Sequence, residues 1–416
     1  MTIGYNWDGT TTTVTSTAIT PQMAQEAIAA RITPLPAESR PLEHCTGATL
    51  RQDVYAERDN PPFDRVCMDG IAVHSSALNR GLLRFTLEAT QPAGAPAITL
   101  TDRNNAVEVM TGAMLPNGTD CVIPVEEYEL TENVACLRTA IVGTPYRNVQ
   151  RRGSDSEPGV PMLTVGTHLG APEIAVVASA GLASVQVSRE PRFMVVSTGD
   201  ELVEPGRPIA EHQIRRSNAY AIVAALRKRG FEKLGNDHIP DDEKRLHSHL
   251  AQHLADHDVL ILSGGVSKGK FDLVPQVLKS LGVEEVFHHV AQRPGMPMWF
   301  GVGPEGQAVF GLPGNPVSTL VCLIRYVLPA TATAMGTRRA APEPIALAAP
   351  AKFHHQLTLF LPVSVRHDAE GHVTAVPRPP NGSGDFLALT QSDGFIELPP
   401  RSEPFAAGFA ATLYRW

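Results

Sequence analysis

The chain has 416 residues and a mass of 44.7 kDa, enough for two to four domains at about 150 residues each. With 35 Lys and Arg against 43 Asp and Glu, a net charge of -8 and no block of like charge, it is not built to coat a polyanion, which argues against a nucleic-acid role. Hydrophobic residues make up 43%, yet the longest apolar runs break at Gly, Pro or charge short of the roughly 18 residues of a membrane span. Cys45, Cys67, Cys121, Cys136 and Cys322 are odd in number and form no C-x-x-C, against both a disulfide framework and a structural zinc site. The chain opens without the basic and apolar regions of a signal peptide, so a reducing, cytoplasmic setting is expected.

In chain order, residues 1–17 include a Thr/Ser-rich stretch too polar to offset its ordering entropy and read as a disordered tail. Thr20 as N-cap and Pro21 in the first turn then start a short helix carrying Met23, Ala27 and Ile28. Between about Val54 and Ala140 period-two runs, such as Leu83, Phe85 and Leu87 on one face, predict a small β domain. Residues 182–335 alternate strands with helices. Phe193–Val196, Val259–Leu262 and Ala308–Phe310 each end in a Gly-rich turn. Ser217 or Asn218, Asp241 and Pro316 mark helix starts. Such alternation predicts a doubly wound parallel sheet covered on both faces. After a Pro/Ala-rich linker at 340–351, β patterning returns, with a turn at Ala369–Gly371.

In an open parallel sheet, ligands sit beyond the carboxyl ends of the strands, where turns and helix N-termini present N–H groups. Three turns are therefore the site candidates: 197–202, 263–272 and 311–318. The first, S-T-G-D-E-L, offers Thr198 and Gly199 with Asp200 and Glu201, either to hold a hard cation or merely to cap the next turn. The second, S-G-G-V-S-K-G-K-F-D, offers Ser263, Gly264, Gly265, Ser267, Lys268, Lys270 and Asp272. It nearly spells a P-loop, but Phe271 stands where Ser or Thr must hold magnesium, leaving an anion-binding or simply solvated loop. The third, G-L-P-G-N-P-V-S, sets Pro313, Gly314, Asn315, Pro316 and Ser318 at a helix start, as an oxyanion site or a tight connection. Asp64 and Asp69 lie in P-P-F-D-R-V-C-M-D-G, and Arg151, Arg152 and Asp155 in R-R-G-S-D, both Pro- and Gly-bounded loops. His249, His253 and His257 recur every fourth residue, but without H-E-x-x-H they read as a solvated helix face; His288-His289 and His354-His355 are uninformative alone.

Taken in order, PPFDRVCMDGIAV (61–73), VMTGAMLPNGTDCVIPVE (109–126), RRGSD (151–155), STGDEL (197–202), SGGVSKGKFD (263–272), RPGMP (293–297) and GLPGNPVS (311–318) resemble the molybdopterin molybdenumtransferase family, the MoeA and gephyrin E-domain type. The resemblance spans nearly the whole chain after the tail. It implies an elongated homodimer with a linking domain (18–53 and 151–181), a protruding β domain (54–150), an α/β molybdopterin-binding domain (182–335) and a C-terminal β-barrel (341–416). It also implies a magnesium-dependent reaction that inserts molybdate into adenylylated molybdopterin and releases AMP, at a site between the α/β domain of one subunit and the smaller domains of the other.

By motif, the implied catalytic acids are Asp69, Asp155, Glu201, Asp241 and Asp272, with Glu201, Asp241 and Asp272 as the magnesium set; Pro313, Pro316 and Ser318 match the last turn. The chain departs from the family where K-x-x-x-K-P-G-K-P is common and His289-Val-Ala-Gln-Arg293-Pro-Gly-Met296-Pro stands. Arg293 keeps a charge with a planar fork for oxyanions, His289 carries a conditional charge and Met296 none. Lys268 or Lys270 are candidates to compensate. Two other readings fit the same fold: a scaffolding member, favoured by Met296, or a nucleotide or pyrophosphate hydrolase at the acidic site.

Overall fold

The computed structural model describes residues 18–265, 273–352 and 356–416. Helix Pro21–Arg31 starts as the sequence dictates: Thr20 Oγ1 accepts from the Met23 N–H at 3.2 Å, a cap worth about 1 kcal/mol. Its buried residues Ala24 and Ile28 join a core with Phe193, Ile222 and Phe300 of the α/β unit. The segments that follow it form a separate small core. Strand Ala37–Pro41 pairs antiparallel with Ser184–Ser188, and Cys45, Leu50 and Val54 pack with Leu169, Val177 and Val187. Two stretches far apart in sequence therefore fold as one layer.

Between them lies a six-stranded sheet in the order Cys121–Pro124, Gly70–Val73, Ala106–Val109, Arg84–Gln91, Val134–Leu137, Tyr128–Thr131. Alternation along Gly70–Val73 sends Ile71 and Val73 to one core and Ala72 to another, so both faces are covered. The sequence expectation for Leu83 is corrected here. The strand begins at Arg84, so Phe85 is buried and Leu87 half-buried while Leu83 precedes the ladder and is exposed. Gly70 is required by space. Any Cβ there would run into the Ile123 carbonyl of the neighbouring strand.

The central sheet runs Leu234–Ile239, Phe193–Thr198, Val259–Ser263, Ala308–Leu312, Trp299–Val302, Glu284–His288. The first four strands are parallel, Trp299–Val302 runs antiparallel to both its neighbours and Glu284–His288 resumes the first direction, so the expected parallel sheet is mixed. The reason lies in the connection: residues 303–307 between Trp299–Val302 and Ala308–Leu312 are too few for a crossover and make a hairpin. Phe193 and Val195 face helix Asn218–Arg227, while Met194 and Val196 face helices Glu243–Asp256 and Val274–Ser280. Side chains buried this fully contribute about 1.5–3 kcal/mol each. Helix Glu243–Asp256 is capped by Asp242, one residue beyond the expected Asp241, through the Arg245 N–H at 2.8 Å.

From Pro316 to Met335 the chain is helical throughout, ending at Gly336 in the left-handed conformation (φ 70°). Its middle, Leu323–Val327, is a π turn; Pro329 has no N–H for the Arg325 carbonyl, which disrupts the α ladder there. These 20 residues are long and apolar enough to cross a membrane, but 72% of the most apolar window is buried inside the protein. One side joins the α/β core through Cys322, Leu323 and Tyr326, and the other packs Val321 and Ile324 on Phe360 and Phe395 of the last unit. Arg325 in mid-helix is buried and paired with Glu397 at 2.9 Å and Gln25 at 2.6 Å.

The last unit is a closed barrel. Strands Thr358–His367, Val373–Pro377, Glu343–Leu347, Ala410–Arg415 and Gly394–Leu398 pair in a ring that returns to Thr358–His367, with Gln292–Arg293 added at one side. Glu343–Leu347 occupies much of the stretch read from its composition as a linker. Its Ile345 and Leu347 point into the barrel, which gives that segment a core to join.

Candidate functional site

At the carboxyl ends of the parallel strands, the turns at 197–202, 263–265 and 313–318 come together. Asn218 ties two of them: its Nδ2 donates to Ser263 Oγ at 2.9 Å and to the Gly314 carbonyl at 2.7 Å. Asn218 and Ser217 read as helix caps in the sequence, but Ser217 makes no side-chain cap bond and the Asn218 amide serves the crevice. Gly264 and Gly265 have φ of 93° and 67°, and a Cβ on Gly265 would come within 2.6 Å of Thr198 Oγ1, so this turn presents backbone only. Ser197 Oγ and Thr198 Oγ1 are buried and lack a hydrogen-bond partner among the described residues. Such hydroxyls cost free energy until something pairs with them.

The Glu201 carboxylate folds over Gly199, where no Cβ intervenes. Nearby the Asp241 N–H donates to Asp200 Oδ1 at 3.2 Å, and His238 Nε2 lies 3.0 Å from the Gly199 carbonyl. Carboxylates carried at a strand end suit a hard divalent cation such as magnesium. Behind them Arg216, buried, bonds Glu204, the Asn236 side chain and the Asp237 carbonyl, and the Arg216 and Tyr220 hydrogen bonds hold the Glu204 carboxyl below its usual range. Ser267, Lys268, Lys270 and Asp272 lie outside the described residues, as do the 1–17 segment and His354-His355.

Beside this crevice is a cleft of about 180 Å³ walled by Arg293, Gly295, Met296, Pro313, Asn315, Ser318 and Ser383. Gln292, buried behind it, donates to the Pro294 and Gly295 carbonyls at 3.1 and 3.2 Å and accepts from the Tyr326 hydroxyl, fixing the R-P-G-M-P loop. Gly295 lies against Cys322, whose thiol is pushed up to about 12 by burial. Met296 packs on the barrel core with Ala291, so its side chain supports the loop through apolar contact. The cleft wall does not include His289. Its ring is buried and stacked on His288 at 4.1 Å, and its backbone, at φ 82°, bonds Met298 and Ile19. The last turn also differs from a free anion site: Pro316 has no N–H, and that of Val317 donates to the Ser383 carbonyl at 3.1 Å.

The remaining acids belong to a second group. Asp69 Oδ1 accepts from the Thr111 backbone N–H at 2.6 Å and its hydroxyl at 2.8 Å, bonds that hold the carboxyl below its usual range. Asp155 receives Gln150 Nε2 at 2.8 and 2.9 Å, and its N–H donates to Asn60. Asp64 accepts from the Arg152 N–H at 2.9 Å, and the Arg152 side chain pairs with Asp59. The loops 59–70, 109–116 and 150–156 thus converge, although they are separated in sequence. Within one chain Asp69 and Asp155 sit with these loops, while Glu201 and Asp241 sit on the α/β crevice.

Asn218, Gln292, His238 and Ser383 were missed as site residues. Each acts through a side chain reaching a remote turn, and local patterning carries no signal for that. The histidine row also differs from a solvated face: His249 and His253 both reach Asp237, and His253 is only 12% exposed.

Comparison with known proteins covers the same span. A family model of the MoeA N-terminal region (domain I and II) matches residues 19–181, one of a probable molybdopterin binding domain matches 194–333, and one of the MoeA C-terminal region (domain IV) matches 344–416. A molybdopterin molybdenumtransferase of Synechocystis is 40% identical over 371 residues, 89% of this chain and 93% of that protein. One of Staphylococcus epidermidis is 30% identical over 377 residues, 88% of each. A solved molybdopterin biosynthesis MoeA protein of Pyrococcus horikoshii superposes with a TM-score of 0.75 at 28% identity, covering 96% of this chain and 99% of that one. A second structure from that organism, at 23% identity and a TM-score of 0.80, shares the fold.

Proposed function

The chain belongs to the molybdopterin molybdenumtransferase family, an enzyme family of molybdenum cofactor biosynthesis whose substrates are molybdopterin and molybdate, and from that premise we propose how its own residues divide the work. The reaction we infer inserts molybdate into adenylylated molybdopterin and releases AMP. The observation that carries this is the crevice itself, where the Thr198 hydroxyl, unpartnered among the described residues, faces a turn made of Gly264 and Gly265, with a second such hydroxyl on Ser197 beside it in the strand. These groups receive the phosphate-bearing substrate, with Ser263 and Asn218 keeping the turns in register. Arg293 and Ser318 in the adjoining cleft take the oxyanion, Arg293 as a charged fork and Ser318 as a hydroxyl. Asn315 holds the cleft rim by donating to Ser383 Oγ at 2.8 Å. Glu201 and Asp241, with Asp272 from the second turn, would hold magnesium, which when bound neutralises charge on the pyrophosphate.

The domain division drawn from the sequence, 18–53 with 151–181, 54–150, 182–335 and 341–416, accompanies this reading. So does a homodimer in which Asp69 and Asp155 of one subunit complete the crevice of the other. A single chain builds these acids on a separate set of loops, which favours a shared site. A cytoplasmic setting is in keeping with five free thiols.

The test is AMP release from adenylylated molybdopterin with magnesium, with and without molybdate. The parent is expected to show molybdate-dependent release, and Glu201→Ala and Asp69→Asn each to lose at least about 100-fold of it, the order of one removed charge-stabilising group. Mixing the two inactive variants should restore about a quarter of the parent rate, because half of randomly formed two-fold dimers carry one intact site. Release that ignores molybdate would replace the transferase by a hydrolase, and no recovery on mixing would remove the shared site. Met296→Lys is a poor probe of the missing cation, since it sets a charge against the barrel core.

A further inference from the structure

The row of histidines on helix Glu243–Asp256 does more than decorate its surface. Spacing of four residues puts His249 and His253 on one helix face, at the rim of the apolar stripe formed by Leu246, Leu250 and Leu254. That rim faces the edge strand of the central sheet, Leu234–Ile239, and Asp237 projects from the strand to meet it. One carboxylate oxygen, Asp237 Oδ2, lies 2.8 Å from His249 Nδ1 and 2.7 Å from His253 Nε2. Its other oxygen accepts from the His238 N–H at 2.8 Å, which fixes the carboxylate plane. The two rings stand nearly perpendicular, with centroids 6.2 Å apart. His257, one turn on, does not join them; its Nδ1 bonds the His253 carbonyl at 3.1 Å.

We propose that Asp237, His249 and His253 form a binding site for one borderline divalent transition-metal ion of the zinc class, separate from the carboxylate crevice. The three donor atoms all lie within 4.8 Å of one another. An ion with bonds of about 2.0–2.1 Å needs ligand atoms about 3 Å apart, so a small outward shift of the two rings admits it. Two imidazole nitrogens with one carboxylate select zinc, cobalt or nickel over magnesium and calcium, which prefer oxygen. His253 is 12% exposed and His249 45%, so the site has a dry side and an open side where water completes the coordination. The His238 N–H on the second carboxylate oxygen supplies the supporting hydrogen bond that metal ligands commonly have. An ion here would clamp the helix to the strand that runs on to Asp241, and so brace one wall of the crevice.

The experiment uses untagged full-length protein freed of metal with a chelator and kept in excess magnesium. Co2+ is titrated while its visible absorption is followed, and Zn2+ is then added to displace it. The parent is expected to take one Co2+ per chain in a spectrum of nitrogen and oxygen ligation, and Zn2+ to raise its melting temperature. His249→Ala and His253→Ala should each weaken Co2+ binding at least 10-fold, while His257→Ala leaves it unchanged. His249→Ala, at the more exposed position, keeps the test valid if His253→Ala melts early. Failure of the parent to bind Co2+, binding by both variants as tight as the parent's, or a thiolate charge-transfer band placing the ion on a cysteine would each overturn the proposal.

Discussion

The two acidic regions of this chain are finished to different degrees. In the loops around Asp64, Asp69 and Asp155, every one of these carboxylates is met by a donor, from a neighbouring loop for Asp64 and Asp69 and from Gln150 of its own loop for Asp155. In the α/β crevice, Ser197 and Thr198 bury hydroxyls that nothing among the described residues answers. A satisfied network fixes a shape in the free protein, whereas an unsatisfied one stores free energy that a ligand can release. Under the function proposed above, the first region is the scaffold for its acids and the second the receiving surface.

The largest effect should come from breaking the first region. Gly70→Ala forces apart the strands Gly70–Val73 and Cys121–Pro124 and is expected to cost about 2–3 kcal/mol, seen as an early melting step of the N-terminal sheet by circular dichroism. A melt identical to the parent would mean the strands yield at no cost.

Acid provides a gentler probe of the six-stranded sheet that adjoins this region. The Glu88 carboxyl accepts from the Thr101 N–H and hydroxyl, both at 2.7 Å, and from Asp102 N–H and Asn105 Nδ2. With the Thr101 backbone bond the largest cause, its pKa falls from 4.5 to about 2. A depressed carboxylate stabilises the fold fully above the unfolded value and loses that contribution as pH drops through the folded one. The parent should therefore lose stability between pH 4.5 and about 2, and Glu88→Gln should flatten that slope in acid titrations followed by tryptophan fluorescence or circular dichroism. An unchanged slope would show that the loop at 100–105 is held by other means.

The smallest change in stability belongs to the crevice. Thr198→Val removes a hydroxyl unanswered among the described residues at nearly constant volume, so melting should stay within about 1 kcal/mol of the parent. Substrate affinity, measured by calorimetry with molybdopterin, should weaken about 5- to 10-fold, the worth of one hydrogen bond. Destabilisation without loss of affinity would reverse the assignment of the two regions.

Much of this was legible in the sequence because it rests on local chemistry. Thr20 and Pro21 start a helix, Gly-rich turns follow Phe193–Thr198 and Val259–Ser263, and the ordered motifs mark the family. The errors share one cause. Asn218 looks like a cap and His253 like a surface residue until the remote partners, Gly314 and Asp237, are in place. Leu83 and the mixed sheet were missed because a ladder's start and a hairpin's direction depend on the neighbouring strand. Such contacts join residues far apart in the chain, where periodicity has no reach.

The bonds from Asn315 to Ser383 Oγ and from Val317 to the Ser383 carbonyl have a consequence for protein engineering. The α/β unit looks like a module that could be excised and grafted elsewhere. Cutting after Gly336 would remove Ser383 from the rim of the crevice and strip Phe360 and Phe395 from the long helix whose first turn forms that rim. The 313–318 turn and the final barrel are one inseparable part, and a transplant of the crevice has to carry both.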